Sequence, residues 1–304
     1  MITVLSGGVG AARLLRALGE VMDPSELTAV VNVGDDIVLH GLTICPDLDT
    51  ITYTLAQQNN DELGWGIKGE SWRVMEELAS LGGEAWFRLG DRDLATHLYR
   101  TQRLREGATK SDVARELARH WGISTQLLPV TNDDVATVFD TEVGRLNFQE
   151  YFVRHHHQVR VHDITFEGAQ SAQPTPEVVD ALRRATRIVI APSNPLISIE
   201  PILQVPGIRE ILQERRNDVL AISPIINGAA LKGPADRLLD ELGHVVSCVG
   251  VADIYRDLIG TFVIDEVDGQ HTRDLEQRGL EVRVTTTIMA DPLDAHRLAL
   301  EVLR

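Results

Sequence analysis

Four aspartates crowd one short stretch of this chain: Asp35 and Asp36 in Asn32-Val33-Gly34-Asp35-Asp36, then Asp47 and Asp49 in Pro46-Asp47-Leu48-Asp49-Thr50. Magnesium favours a few carboxylates alongside waters and substrate phosphates in octahedral geometry. An N-cap role explains Asp49, ahead of a helix opening at Thr50, but strains to explain all four. At least one is expected to serve a metal. Asp35 and Asp36, if extended, point in different directions, one to the site and one to the next segment. Upstream, Ser6-Gly7-Gly8-Val9-Gly10 joins an apolar strand to a helix. Glycines let the backbone approach a phosphate, and a helix N-terminus favours negative charge. The spacing is neither GxGxxG nor the Walker pattern with its final Lys-Ser/Thr, and a plain tight βα turn competes with phosphate binding. Together the two loops read as a site for a phosphate-bearing nucleotide in an enzyme.

Three further segments carry chemistry. Arg88, in Trp86-Phe87-Arg88-Leu89-Gly90-Asp91-Arg92-Asp93, offers a planar fork for a carboxylate, phosphate or aromatic ring. Pro192-Ser193-Asn194-Pro195 follows a buried strand; it presents a hydroxyl and an amide, or simply turns the chain. Lys232, in the loop Pro224–Pro234, can meet a phosphate or lie on the surface. His155-His156-His157 lacks the i, i+4 spacing that puts two histidines on one ion, and reads as surface or interface.

These residues need a scaffold that brings them together. Ile2–Leu5 is an apolar run. Ala11, Leu14, Leu15 and Leu18 recur at helical spacing with Gly19 as C-cap, and Leu27–Val33 is a second buried strand. This opening predicts an α/β, Rossmann-like fold, a mostly parallel sheet flanked by helices. Thr50–Gln58 is expected to be helical. From Asp61 to about Trp121 the pattern is largely helical, with Ser71–Ala79, Leu94–Arg105 and Lys110–His120, the last capped by Ser111. Residues 1–60 and 122–304 thus form the nucleotide-binding core, and 61–121 a smaller, largely helical insertion. Further strands are expected at Thr125–Pro129, Ala136–Phe139, Phe148–Phe152, Val159–Ile164, Arg187–Ala191, Asp218–Ser223, Val245–Val251, Gly260–Ile264 and Val282–Thr285. Asp291–Val302 is an amphipathic helix. Loops after parallel strands gather at one end of the sheet, where scattered motifs converge.

Composition narrows the class. The chain has 304 residues, 43% hydrophobic and 24% charged, ordinary for a globular protein. A net charge of −16 disfavours nucleic acid as a partner. Only Cys45 and Cys248 are present, which argues against a disulfide scaffold and fits a reducing cytoplasm. No signal peptide and no apolar run of membrane-spanning length is evident.

Many separate segments, in order and over nearly the whole length, resemble the 2-phospho-L-lactate transferase family, which assembles the tail of the deazaflavin coenzyme F420. They are Leu5–Gly10, Asn32–Asp36, Gly41–Thr50, Phe87–Asp93, Pro192–Pro195 with Ser198-Ile199, Ser223–Ile226, Lys232–Ala235 and Thr287–Met289. The resemblance implies transfer of a phospholactyl or phosphoenolpyruvyl group from a guanosine diphospho donor to the ribityl hydroxyl of the deazaflavin Fo, with release of GMP. It also implies a magnesium requirement and a homodimer. It matches Asp49 and Arg88 to deazaflavin contacts, with Thr50 and Asp91 beside them and the insertion contributing to the acceptor site. Gly7, Gly8, Val9, Gly10, Ser193, Asn194 and Lys232 fall on the nucleotide and phosphate side. Asp49 is then the expected catalytic centre and, with Asp36, a magnesium ligand. Ala11-Ala12-Arg13 stands where many members have Gly-Ala-Lys. The alternative from another class is a non-catalytic nucleotide- or sugar-nucleotide-binding regulator sharing the Gly-rich opening. A nicotinamide-dependent dehydrogenase fits poorly because the glycine spacing is wrong.

Overall fold

The computed structural model describes residues 1–60 and 63–304; Asp61, where the insertion is expected to begin, and Glu62 lie outside the described residues. The chain starts with β1 (Ile2–Ser6), α1 (Gly8–Val21) and β2 (Leu27–Val31), the expected β–α–β unit. A hairpin of Ile37–Leu39 and Leu42–Ile44 leads to α2 (Pro46–Leu55). Three helices follow, α3 (Arg73–Ser80), α4 (Asp91–Arg105) and α5 (Lys110–His120), before the chain returns as β3 (Gln126–Pro129). The later sheet strands are β4 (Arg187–Ile190), β5 (Val219–Ile222), β6 (Thr261–Ile264) and β7 (Glu281–Val284), and α6 (Pro292–Leu303) ends the chain.

Among the described residues these strands form one sheet in the order β7-β6-β5-β4-β1-β2-β3, parallel throughout. Both faces are covered. Along β4, Ile188 and Ile190 enter one apolar core while Val189 enters the other. Ala11, Leu14, Leu15 and Leu18 of α1 and Ala295, Leu298, Ala299 and Val302 of α6 fill the second core. Side chains alternate along a strand, so a strand buried on both faces reads as an unbroken apolar run. The strand order reverses between β1 and β4. Loops leaving a parallel sheet there diverge to opposite faces and open a crevice, the habitual ligand position in such folds. After β1 come Gly7 and the first turn of α1, Gly8–Gly10, and the loop after β4 is Pro192–Asn194.

Several expectations need correction. Helix α1 runs through Gly19 to Val21 with Met22 as its C-cap, so Gly19 is interior rather than a C-cap. Helix α2 opens at Pro46, which places Asp49 inside its first turn and not at a cap. Thr109, not Ser111, caps α5: its hydroxyl takes the Asp112 N–H, and Asp112 returns a bond to the Thr109 N–H. Ser111 instead bonds Asn132.

Phe148–Phe152 is no strand; Glu150–Arg154 forms a π-helical turn. Phe148 stacks on Phe152 at 5.4 Å, an i, i+4 contact that helical spacing makes and an extended strand does not, and Tyr151 stacks on Phe139 of the neighbouring strand at 4.1 Å. The histidine run follows in a tight turn, with positive φ at His156 and His157. Val245–Val251 also turns helical, as Cys248–Ile254. Ser247 caps it by accepting the Gly250 N–H, and the Val245 carbonyl oxygen would lie 1.9 Å from a side chain at Gly250. Ala136–Thr141, Gly144–Asn147 and Val161–Glu167 form a separate antiparallel sheet.

Candidate active site

The two loops at the strand-order reversal are tied to each other. Ser193 donates its hydroxyl to the Gly7 carbonyl at 2.7 Å. A side chain at Gly10 would lie 2.6 Å from the Pro192 carbonyl oxygen, and one at Gly7 would lie 2.7 Å from Ser198 Cβ. Here glycine is required by close approach of backbone. Gly10→Ala is expected to cost about 1–3 kcal/mol through overpacking. Gly19→Ala, where a new Cβ meets only the Pro24 ring at 3.8 Å, should gain up to about 1 kcal/mol. Thermal melting of the pair checks both, and equal effects would refute the packing account.

The aspartates fold into one buried polar cluster beside this crevice. Gly8 N–H donates to Asp47 Oδ1 at 2.6 Å, and Asn32 Nδ2 to Asp47 Oδ2 at 2.9 Å and to Asp35 Oδ1 at 3.4 Å. Asp47 thus sits on the N-terminus of α1 and takes the Gly8 amide there. Asp35 and Asp36 lie in the turn after β2 and meet different partners, Asn32 beside Asp35 and Lys110 beside Asp36; Asp35 is buried and the Asp36 side chain is 10% exposed. Asp36 lies 3.4 Å from Lys110 Nζ, yet neither of its oxygens has a hydrogen-bond partner. Burial raises Asp36 from 3.8 to about 6 against the pull of Lys110, the Cys45 thiol and Arg100. Burial likewise raises Asp47 to about 6 despite its bonds from Asn32 and Gly8. Burial, then the charges of Asp47 and Asp36, push Asp35 well above the usual range.

An acid whose folded pKa exceeds its unfolded one keeps its proton longer in the folded chain, so its contribution to stability falls as pH rises between the two values. In metal-free protein, Asp36→Asn should therefore gain on the parent from about pH 4 to about pH 6, by an amount on the order of 2–3 kcal/mol. Melting curves in chelator across that window check the sign; a difference that does not change with pH would refute it.

Asp49 is held from the insertion side. The Arg100 guanidinium donates to both its oxygens, one at 3.1 Å. His97 Nδ1 lies 3.7 Å from Asp49, and His97 Nε2 lies 3.4 Å from Asp93. Tyr53 donates its hydroxyl to Asp93 at 2.6 Å. Burial alone would raise Asp93, but His97, Tyr53 and Arg100 hold it below the ordinary value. Helix α4 is inverted: it buries Asp93, Thr96, His97, Arg100 and Thr101 while Leu98 and Tyr99 face water. Apolar spacing cannot reveal such a helix; the polar stripe at i, i+3, i+4 and i+7 was the available signal. Lys110 and Asn32 were also overlooked. Behind Arg100, Cys45, Thr52 and Lys110 border a cavity of about 10 Å³, the size of one water and far too small for a nucleotide.

The remaining expected residues are spread around this cluster. Thr50 follows Asp49 on α2, half-buried. Arg88 is exposed, with its guanidinium over the Trp72 ring at 4.3 Å. Asp91 accepts from the Ser71 hydroxyl at 2.5 Å and the Arg73 and Val74 N–H groups at 3.3 and 3.2 Å, tethering the start of α3. Asn194 Oδ1 accepts the Leu196 N–H at 3.0 Å, while its Nδ2 is shut from water with no partner. Lys232 is exposed, 4.0 Å from where a side chain at Gly64 would begin.

Residues 2–301 match the model of the family described as 2-phospho-L-lactate transferase CofD. The chain belongs to that family. A relative from Nocardia farcinica named phosphoenolpyruvate transferase is 41% identical, covering 99% of this chain and 93% of its own length. One of the same name from Mycolicibacterium smegmatis is 42% identical, covering 96% and 94%. One from Methanosarcina mazei named 2-phospho-L-lactate transferase is 36% identical, covering 97% of each. A crystal structure of a upf0052 family member from Bacillus halodurans superposes with a TM-score of 0.63 at 17% identity, covering 100% of this chain and 98% of that one, which speaks for the fold alone. A non-catalytic regulator is not favoured, since the relatives matched over 93–97% of their length are named transferases. No helix among the described residues is long and apolar enough to cross a membrane.

Proposed function

We propose that this chain transfers a three-carbon phosphoacid unit from a guanosine diphospho donor to the ribityl hydroxyl of the deazaflavin Fo, releasing GMP, as a step of coenzyme F420 assembly. We favour a phosphoenolpyruvyl unit over 2-phospholactyl, because relatives named for the former share 41–42% identity against 36% for the latter. One observation carries the reading most: four buried carboxylates, beside the crevice between the loops after β1 and β4, face Arg100 and Lys110 as the cations nearest them among the described residues. Excess buried negative charge calls for a cation.

The residues fit magnesium, since both Asp36 oxygens are buried and make no hydrogen bond beside their ion pair with Lys110, and Asp49 lies in the same cluster. Magnesium there would neutralise the charge of the diphosphate. Displacement at phosphorus depends on alignment and charge neutralisation more than on covalent help from protein. The amides at the α1 N-terminus other than that of Gly8, together with the unpartnered Asn194 Nδ2, receive phosphate oxygens, and Lys232 adds a positive charge to the phosphate side. Asp49, fixed by Arg100, orients the acceptor hydroxyl and accepts its proton. The new P–O bond forms as the bond to GMP breaks. Arg88 and Thr50 lie on the acceptor side; Asp91 acts there by holding α3. The work is cytoplasmic, in a homodimer.

Incubating the chain with Fo, magnesium and each synthetic donor, then weighing the products, tests this. The expected products are GMP and a mass-extended deazaflavin, both lost in chelator; no extended product with any donor would overturn the reading. Arg88→Ala should raise the acceptor KM about tenfold by removing a stacked guanidinium, with the donor KM little changed. The reverse split would refute its placement.

A further inference from the structure

A second cluster of metal-ligating side chains lies apart from the aspartates of the crevice. Cys248 opens the helix Cys248–Ile254, and Asp268 and His271 belong to the 3-10 turn Glu266–His271 that follows β6. The Cys248 Sγ, one Asp268 carboxylate oxygen and one His271 ring nitrogen all lie within 4.8 Å of one another. Cys248 is 0% exposed and Asp268 2%, while His271 is half-buried. A buried carboxylate ordinarily faces a cation. Among the described residues Asp268 forms no ion pair with lysine or arginine. It accepts only the Asn227 N–H, at 3.2 and 3.0 Å from its two oxygens.

Local structure fixes the segments that carry these donors. Ser247 accepts the Gly250 N–H and so sets where the helix begins, one residue before Cys248. Asp265 accepts the Val267 N–H at the head of the turn, and its other oxygen takes the Thr287 N–H at 2.8 Å and the Thr287 hydroxyl at 3.1 Å. Asn227 stands at the tip of the hairpin Ile225–Ile226 and Ala229–Ala230, with φ of 50°. Its N–H orients Asp268 as outer hydrogen bonds orient the carboxylate ligands of metals.

The donor types select the ion. Thiolate, imidazole and carboxylate together suit zinc, at about 2.3, 2.0–2.1 and 2.0–2.2 Å respectively. Magnesium takes oxygen ligands instead. Donors at this spacing close round one ion with small rotations, chiefly of the half-buried His271 ring. A nucleophilic thiol would need access for its substrate, and Cys248 has none. The chain's two cysteines are far apart, so no local spacing announces such a site.

We infer that Cys248, Asp268 and His271 bind one zinc ion, with a water in the fourth position on the solvent side of His271. The ion joins the helix, the turn and, through Asp268, the hairpin that leads on to Lys232. Such a site does not depend on which group the chain transfers.

Cobalt(II), added to the whole chain after chelator treatment, reports on it. Thiolate bound to cobalt gives a charge-transfer band in the near ultraviolet, which carboxylate ligands do not. The parent should show this band, and zinc should abolish it by displacement. Cys248→Ser should lose the band. Cys45→Ala, which removes the thiol beside Asp36, should keep it. His271→Ala alters a half-buried position that the fold tolerates, and should weaken cobalt binding at least about a hundredfold, more than the loss of an outer hydrogen bond does. Zinc at about a hundred times its Kd should raise the parent Tm by about 5 °C and leave the Tm of Cys248→Ser and His271→Ala nearly unchanged. Circular dichroism confirms that each variant is folded. A parent without the band overturns the inference, as does a band that survives Cys248→Ser or disappears in Cys45→Ala. Equal cobalt affinity in the parent and His271→Ala also overturns it, since the ion then sits elsewhere. If Cys248→Ser fails to fold, His271→Ala and Cys45→Ala decide between the two thiols.

Discussion

Asp49→Asn is expected to lower turnover by about three orders of magnitude, the scale on which a positioned proton acceptor acts. Asparagine has the same shape, so the substituted side chain still fills its place in the first turn of α2 and still accepts one bond from Arg100. Yet it can neither take a proton nor offset the arginine's charge. A loss of about 1–3 kcal/mol in folding stability should accompany the loss of rate. Steady-state transfer at saturating Fo and donor measures the first effect, and urea titration the second. A variant that keeps more than about a tenth of parental kcat would exclude proton acceptance by Asp49.

Arg100→Leu should have the largest effect on stability, about 3–5 kcal/mol, because it strands a buried carboxylate. Arg100 is 3% exposed, and its guanidinium also reaches the Thr43 carbonyl at 3.3 Å and His97 Nδ1 at 3.2 Å. Lysine cannot reproduce the two-pronged grip, so Arg100→Lys should regain only part of the loss. Adding Asp49→Asn to Arg100→Leu removes the stranded charge, and the double variant should be more stable than Arg100→Leu alone. Urea denaturation of the full cycle decides the matter. If the two losses simply add, the buried pair is not what holds these elements together.

The sheet could be read from the chain because its strands are buried on both faces: Ile2–Ser6, Leu27–Val31 and Arg187–Ile190 are unbroken apolar runs, and such runs need no knowledge of their neighbours. The Gly-rich loop was legible for a related reason, since backbone crowding admits no substitute. Where the reading failed, partners distant in sequence decided the outcome. Phe148, Tyr151 and Phe152 have residues common in strands, and it was the Phe139 ring that made a helical turn the better arrangement. Val245–Val251 has strand composition, but the Ser247 cap starts a helix. Asp36 and Asp49 could be singled out by type and crowding. Their counter-charges on α4 and α5 were harder to read, because a polar stripe such as that of α4 faces water far more often than the interior.

A helix that hides charge and shows leucine to water invites a thought experiment in protein engineering. Swapping Asp93, His97, Arg100 and Asp49 together for well-fitted apolar side chains should yield a sturdier fold, as replacement of interior ion pairs often does. Natural drift toward robustness would therefore erase the stripe unless selection on turnover restored it each generation. Stabilising libraries built on this scaffold should accordingly leave the inward side of α4 untouched and look for their gains elsewhere, for instance at the bared Leu98 and Tyr99.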